Sequence, residues 1–345
     1  MNMFLQILGI IFLVLLLIGA YYAWKLYRFV KRQQNSDIAK ATSVLPSQVM
    51  DLEPSNRDQW KEREKLDYCE SELKSIGASH VGYYFTHSGF AMIRISLWNF
   101  KNQVIAAIYE GSTDINQKDV RFIFEVACKL TGGSLCITSN QHALYDSRPD
   151  NHTIKHNESN SILEFIKALK REIPENTKLI KIPDPLEFFI ESYEDATEWS
   201  WSADQLKSEK TQQVLASIGV TVTDELMDDL IESGRSYSVE VNVNRARRKL
   251  ARHSQMSVEK WDKISDKLVF INEKMEVSHL IDAVYDLAGE ITDEQDQVLD
   301  GFQQTTEKLT DPIGAFQMLL SSMDIKAKRI TSMEKPVKTE VYLPL

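Results

Sequence analysis

The N-terminal apolar run is the feature that most constrains this chain. Residues Met1 to Trp24 contain no charged side chain, and the next eight contain four cations, Lys25, Arg28, Lys31 and Arg32. An uncharged run of this length predicts a helix that crosses a hydrocarbon core of roughly 30 Å. Because lysine and arginine concentrate on the cytoplasmic side of such helices, we predict a single-pass protein of the plasma (inner) membrane with its N-terminus outside.

A cleaved signal peptide is the alternative interpretation of this run. Its first three residues lack the basic start of a signal peptide, and its apolar block from Phe4 to Ala20 is longer than usual. Bulky Tyr21, Tyr22 and Trp24 then stand where small residues are needed for cleavage. We therefore favour an uncleaved anchor that meets the lipid bilayer through residues 4–24.

The remainder of the chain is acidic. The formal net charge is −10, and without the four cations beside the apolar run the balance is 36 basic against 50 acidic residues. Such a balance argues against broad binding of nucleic acid or anionic lipid. Cys69, Cys128 and Cys136 lack CxxC spacing and lie among apolar neighbours, which predicts buried thiols in a reducing, cytoplasmic setting.

Composition and periodicity divide the chain into five segments. They are an anchor with its basic flank (1–32), a flexible linker (33–57), an α+β domain (58–182), a helical domain (184–325) and a flexible tail (326–345). The predicted fold class is therefore a single N-terminal transmembrane helix, followed by an α+β domain of about five antiparallel strands flanked by helices, and a mainly α-helical C-terminal region.

The α+β domain is predicted from a change of period. A helix after Asp58 would place Leu66, Cys69 and Leu73 on one side, and a second helix would open with a capping box between Ser161 and Glu164. Between them lie runs with the composition or alternation of strands: 81–87, 91–98, 103–109, 120–130 and 134–138.

Helix start signals dominate the chain from Asp184 onward. They occur at Asp184-Pro185, Thr223-Asp224, Ser257, Ser278, Thr292 to Gln295 and Asp311-Pro312. Residues 237–244 are an exception, because three valines alternate there with polar side chains, and the pattern fits either a strand or a helix.

One polar loop carries the densest set of potentially reactive side chains: His142, Asp146, Asp150, His152, His156 and Glu158. Imidazoles and carboxylates ligate zinc or manganese, and His152 and His156 are four residues apart. That spacing makes a joint site only on a helix, and no HExxH or nucleotide-binding glycine motif is present. We favour a solvated loop, with catalytic or metal-binding residues as the alternative, and predict no cofactor.

Two further groups are candidates for interactions. The only strong basic run outside the membrane flank is formed by Arg245, Arg247, Arg248, Lys249 and Arg252. Residues 273–311 hold eleven acids and two lysines, so paired or solvated charge is the favoured interpretation of this run. Trp199 and Trp201 are two apart and would point in different directions on a helix, so one of them would be exposed or contact a partner; packing in the core is the favoured alternative.

The sequence thus favours a membrane-anchored, cytoplasmic, non-enzymatic module that binds other proteins whose identity it does not specify. A tether of this kind would hold the module at the membrane surface and so raise its local concentration there. The alternative is a membrane-tethered, metal-dependent hydrolase that uses the loop 142–158. A weaker alternative is binding of nucleic acid or anionic lipid through residues 245–252.

Overall fold

The computed structural model describes residues 37–48, 52–88, 91–113, 121–139, 151–254, 257–304, 309–334 and 337–345. The chain divides into two compact units after Ile231. That division lies inside the segment that the sequence predicts to be one helical domain, 184–325. A helix there, α7 (Asp224–His253), begins in the first unit and ends in the second.

The first unit is built around a sheet with helices before and after it. Its elements are α1 (Asp37–Val44), β1 (Glu53–Pro54), a short 3-10 turn (Arg57–Gln59), α2 (Arg63–Ser75), β2 (Ser79–Ser88), β3 (Ala91–Phe100), β4 (Val104–Thr113), β5 (Arg121–Leu130), β6 (Gly133–Thr138), β7 (His152–His156), α3 (Ile162–Glu172), α4 (Pro185–Ser200), α5 (Ala203–Leu206) and α6 (Glu209–Ser217).

The sheet has seven strands in the order β1 to β7, and only β6 and β7 are parallel. The five predicted strands are present as β2 to β6, so the prediction of about five antiparallel strands is wrong in number and in one orientation. The two additional strands come from segments predicted to be linker and loop. Gly133 permits the close approach of β7, because a Cβ there would overlap the carbonyl oxygen of Asn151.

One face of the sheet packs against α2 and α3. The predicted apolar positions Leu66, Cys69 and Leu73 of α2 are fully buried there, beside Phe165 of α3. Ring contacts such as Phe124–Phe165, with centroids 5.7 Å apart, join the sheet to the helices. The helical period in the sequence therefore identified this core correctly.

A buried ion pair fixes the start of α2 on the sheet. Glu110 is fully buried and accepts hydrogen bonds from Arg94 Nη1 (3.0 Å) and from the backbone N–H groups of Lys61 (3.0 Å) and Glu62 (2.8 Å). The carboxylate therefore satisfies two donors just before a helix whose N-cap, Glu62, makes no side-chain capping bond.

The predicted capping box at Ser161 is wrong. Ser161 is the N-cap of α3 but makes no local capping bond, and its hydroxyl instead donates to Glu72 Oε1 (2.7 Å). Glu72 Oε2 also accepts from the backbone N–H of Ile162 (3.0 Å). A side chain of α2 thus caps α3, which local spacing alone does not reveal.

The opposite face of the sheet is covered by α4. This helix begins as predicted, with the Asp184 carboxylate accepting from the Glu187 N–H (3.0 Å) and Pro185 in the first turn. Phe189 is buried against Ile105 and Ala107 of β4. A smaller cluster joins Ala41 of α1 with Trp201, so part of the predicted flexible linker 33–57 is an ordered helix.

The second unit combines helices with a second sheet. After α7, its elements are α8 (Val258–Ser265), β8 (Val269–Asn272), α9 (Val277–Ala288), α10 (Asp293–Gln303), α11 (Pro312–Ser322), β9 (Ala327–Met333) and β10 (Thr339–Pro344). The three strands pair in the order β8, β10, β9. The prediction of a mainly α-helical C-terminal region is therefore also wrong, because the predicted flexible tail 326–345 supplies two of these strands.

Residues 237–244, which fit either a strand or a helix, belong to the interior of α7. Val239 and Val241 are both buried, at 5% and 3% exposure. Alternating valines fit this helix because it buries more than one side, so burial outweighs their preference for strands.

The predicted transmembrane segment, residues 4–24, and its flank Lys25, Arg28, Lys31 and Arg32 lie outside the described residues. Within the described ranges, no helix is both long enough and apolar enough to cross a bilayer. The longest of these, α7, has 30 residues but carries charged side chains throughout. We therefore withdraw three predictions: the membrane anchor in the fold class, the single-pass assignment and the plasma-membrane localisation.

Candidate functional site

A cavity of about 250 Å³ lies in the first unit between the sheet and α4. Its floor is the face of the sheet that alternation places opposite α2 and α3, and its roof includes Phe188, Phe189 and Tyr193. Most of its surface is apolar, and several hydroxyl, imidazole and carboxyl groups enter it. This combination is typical of sites for small molecules.

Small side chains create the space beneath α4. Ala107 and Gly111 of β4 and Ala127 of β5 line the cavity where larger residues would fill it. A Cβ added at Gly111 would meet no atom within 4 Å, and the backbone there has no positive φ. Glycine is therefore not required at position 111 by the backbone, and its absent side chain leaves room.

A carboxylate is held at one end of the cavity by hydroxyl groups from two other strands. Glu125 of β5 accepts from the Tyr109 hydroxyl of β4 through Oε2 and from Thr138 Oγ1 of β6 (3.3 Å) through Oε1. Three adjacent strands therefore fix its orientation. Glu125 alternates with apolar residues along β5, and α4 covers the face of the sheet on which it lies.

A second polar pair lies at the other end of β6. Ser134 Oγ and His152 Nδ1 are 2.6 Å apart, and these residues are partners in the parallel pairing of β6 with β7. Ser134 and Thr138 are four positions apart along β6, which corresponds to roughly 13 Å. Cys136 lines the cavity between the two polar ends.

The predicted reactive loop is only partly described. His142, Asp146 and Asp150 lie outside the described residues, whereas His152 and His156 lie on β7 and Glu158 follows it. Four residues along a strand separate the two imidazoles by roughly 13 Å, so they do not form one metal site. Across the ranges given above, no three potential metal ligands of the histidine, cysteine or carboxylate type come together.

The predicted basic run of the second unit does not form one face. Arg245 is buried, at 4% exposure, and the Arg247 guanidinium lies 5.3 Å from the centre of the Phe270 ring. Arg248 and Lys249 are half-buried, and Arg252 is exposed. Interaction through these residues stays a prediction, with fewer of them available than the sequence indicates.

The two predicted tryptophan side chains lie in different surroundings. Trp201 is buried and its Nε1–H donates to the Pro46 carbonyl (2.8 Å). Trp199 is half-buried, and its Nε1 is buried without a hydrogen-bond partner in the described part of the chain. Neither residue lines the cavity.

The sequence missed the residues that build this site. Strand alternation identified β4, β5 and β6, but it did not show which face α4 would cover. The period-two pattern of residues 152–156, with His152, Ile154 and His156 alternating with Thr153 and Lys155, was a signal for β7 that its polarity concealed. Comparison with protein-family models, curated proteins and solved structures finds no match.

Proposed function

We propose that the first unit is a binding module for a small, largely apolar molecule, which occupies the cavity between the sheet and α4. The observation that carries this proposal is a partly open cavity of about 250 Å³ with a largely apolar lining. Protein interiors are close-packed, with few voids larger than one water molecule. A space of this size is near the lower end of the range for small-molecule sites, so the ligand is small.

The lining supports binding rather than simple hydration. Ile93, Ile105, Ile123 and Ile154 present apolar surface, so transfer of an apolar ligand from water is favourable, at about 25 cal/mol per Å² buried. The polar groups at the two ends give the ligand an orientation. The predicted protein-interaction role and the predicted hydrolase remain predictions, without additional support from this geometry.

A neutral fluorescent probe tests the proposal. N-phenyl-1-naphthylamine fluoresces strongly in apolar surroundings, and we expect a saturable rise with the purified chain. Gly111→Leu should abolish it or weaken the affinity at least about tenfold, because the new side chain fills the cavity without backbone strain.

Gly301→Leu is the matched control. Gly301 lies in α10 of the second unit, and an added Cβ there also meets no atom within 4 Å. This variant should bind the probe as the original chain does. Equal binding by both variants, or no saturable signal from the original chain, would contradict the proposed site.

A further inference from the structure

The geometry points to a ligand with a cationic amine head, which Glu125 receives while the apolar body lies under α4. This inference rests on the proposed function and names the ligand class of the same cavity. Three features support it: the acceptor capacity of Glu125, the absence of lysine and arginine from the described lining, and the aromatic groups beside Glu125.

Glu125 has capacity for further donors. A carboxylate offers about four lone-pair positions, and here one hydroxyl donates to each oxygen, from Tyr109 and from Thr138. Each oxygen is therefore able to accept another hydrogen bond from a molecule in the cavity. A charged N–H donor forms the strongest such bond, roughly twice as strong as that between neutral groups.

Within the described ranges, no lysine or arginine lines the cavity beside Glu125. The other titratable groups of the lining are the Asp195 carboxylate, which has a further contact of its own, and the imidazoles of His87 and His152. Arg121 and Lys129 share the face of β5 with Glu125, but each is exposed and four residues away, roughly 13 Å. Exposed charges at that distance are largely screened at physiological salt, where the Debye length is about 8 Å.

Aromatic rings and one more hydroxyl complete the environment. Tyr109, Phe188 and Tyr193 line the same space, and the faces of such rings attract cations. Thr86 of β2 also lines it, and the residue is 7% exposed. Its hydroxyl adds a further polar group to the lining.

Three compounds with one apolar body test the head group. We would titrate the full chain with 4-phenylbutylamine, 4-phenylbutan-1-ol and 4-phenylbutyrate by calorimetry, at one pH and salt concentration. We expect the amine to bind about tenfold more tightly than the alcohol, because its ammonium adds an ion pair to the hydrogen bond that the alcohol also makes with Glu125, and the carboxylate to bind most weakly.

Glu125→Gln should remove the preference, so that the amine binds this variant no more tightly than the alcohol does. The exposed Glu175→Gln is the control for net charge and should keep the preference for the amine. The ranking in the original chain is decisive even where Glu125→Gln does not fold. Equal affinities, tighter carboxylate binding, or an amine preference that survives in a folded Glu125→Gln variant would each overturn the inference.

The two proposals fail in different ways. If the neutral naphthylamine probe binds and Gly111→Leu prevents it, while the amine shows no advantage, the cavity site stands and the cationic head is wrong. If neither the probe nor any of the three compounds binds, the proposed function fails, and the inference fails with it.

Discussion

The three cysteines show how burial separates chemically identical side chains. Cys69 of α2 and Cys128 of β5 are fully buried where the sheet meets α2 and α3, and burial raises the pKa of Cys69 to about 12 and that of Cys128 to about 11. Cys136 is half-buried and faces the cavity. The sequence predicted all three to be buried, which is wrong for Cys136.

We expect iodoacetamide at pH 8 to modify Cys136 well before Cys69 and Cys128. The thiolate is the reactive form, and raised pKa values leave the two buried residues protonated at that pH. Peptide mass spectrometry over time would measure the order. Saturating the cavity with the naphthylamine probe should slow labelling of Cys136, and equal labelling of all three residues would contradict this assignment.

At the scale of elements, one carboxylate adds hydrogen bonds to the apolar contact between the second sheet and α11. Glu340 of β10 is 5% exposed and accepts from Arg329 of β9 (2.9 Å), Gln317 of α11 (2.8 Å) and the Tyr342 hydroxyl. Burial acts to raise the pKa of Glu340, but these three donors outweigh it, so its pKa lies below the ordinary value. Burial, then the bond to Glu340, raises the pKa of Tyr342 to about 12.

The lowered pKa of Glu340 predicts acid sensitivity of the second unit. Because the folded pKa is below that of the unfolded chain, the contribution to stability is complete above the ordinary glutamate pKa of 4.5 and is lost as pH falls through the folded value. Urea unfolding, followed by the methyl resonances of buried Val341, would measure the free energy of unfolding at each pH. This free energy should fall more steeply below pH 5 in the original chain than in Glu340→Gln. Exposed Glu290→Gln is the control, and identical slopes for the original chain and Glu340→Gln would contradict the prediction.

At the scale of the whole molecule, the C-terminal segment completes the second unit. Removal of residues 337–345 should unfold that unit, because Val337, Val341 and Tyr342 are buried and β10 is the central strand of its sheet. Burial of each such side chain is worth about 1.5–3 kcal/mol, and the three together approach a typical domain stability of about 5–15 kcal/mol.

Hydrogen exchange would measure this loss, and probe binding would report on the first unit, which should persist because it has its own core. Removal of Leu345 alone, which is 80% exposed, is the control and should change neither readout. Retained exchange protection of β8 in the longer truncation would show that residues 337–345 form a dispensable tail.

Elements with local signals could be predicted from the sequence. Alternation identified β2 to β6, and helix starts were correct at Asp184, Thr292 and Asp311, where a side chain bonds its own first turn. Tertiary contacts were needed to reveal the seventh strand, the place of Glu125 in the cavity under α4, and the strands β9 and β10. Those depend on partners distant along the chain, because a polar strand is ordered only by its neighbour and a cavity exists only between two surfaces that meet.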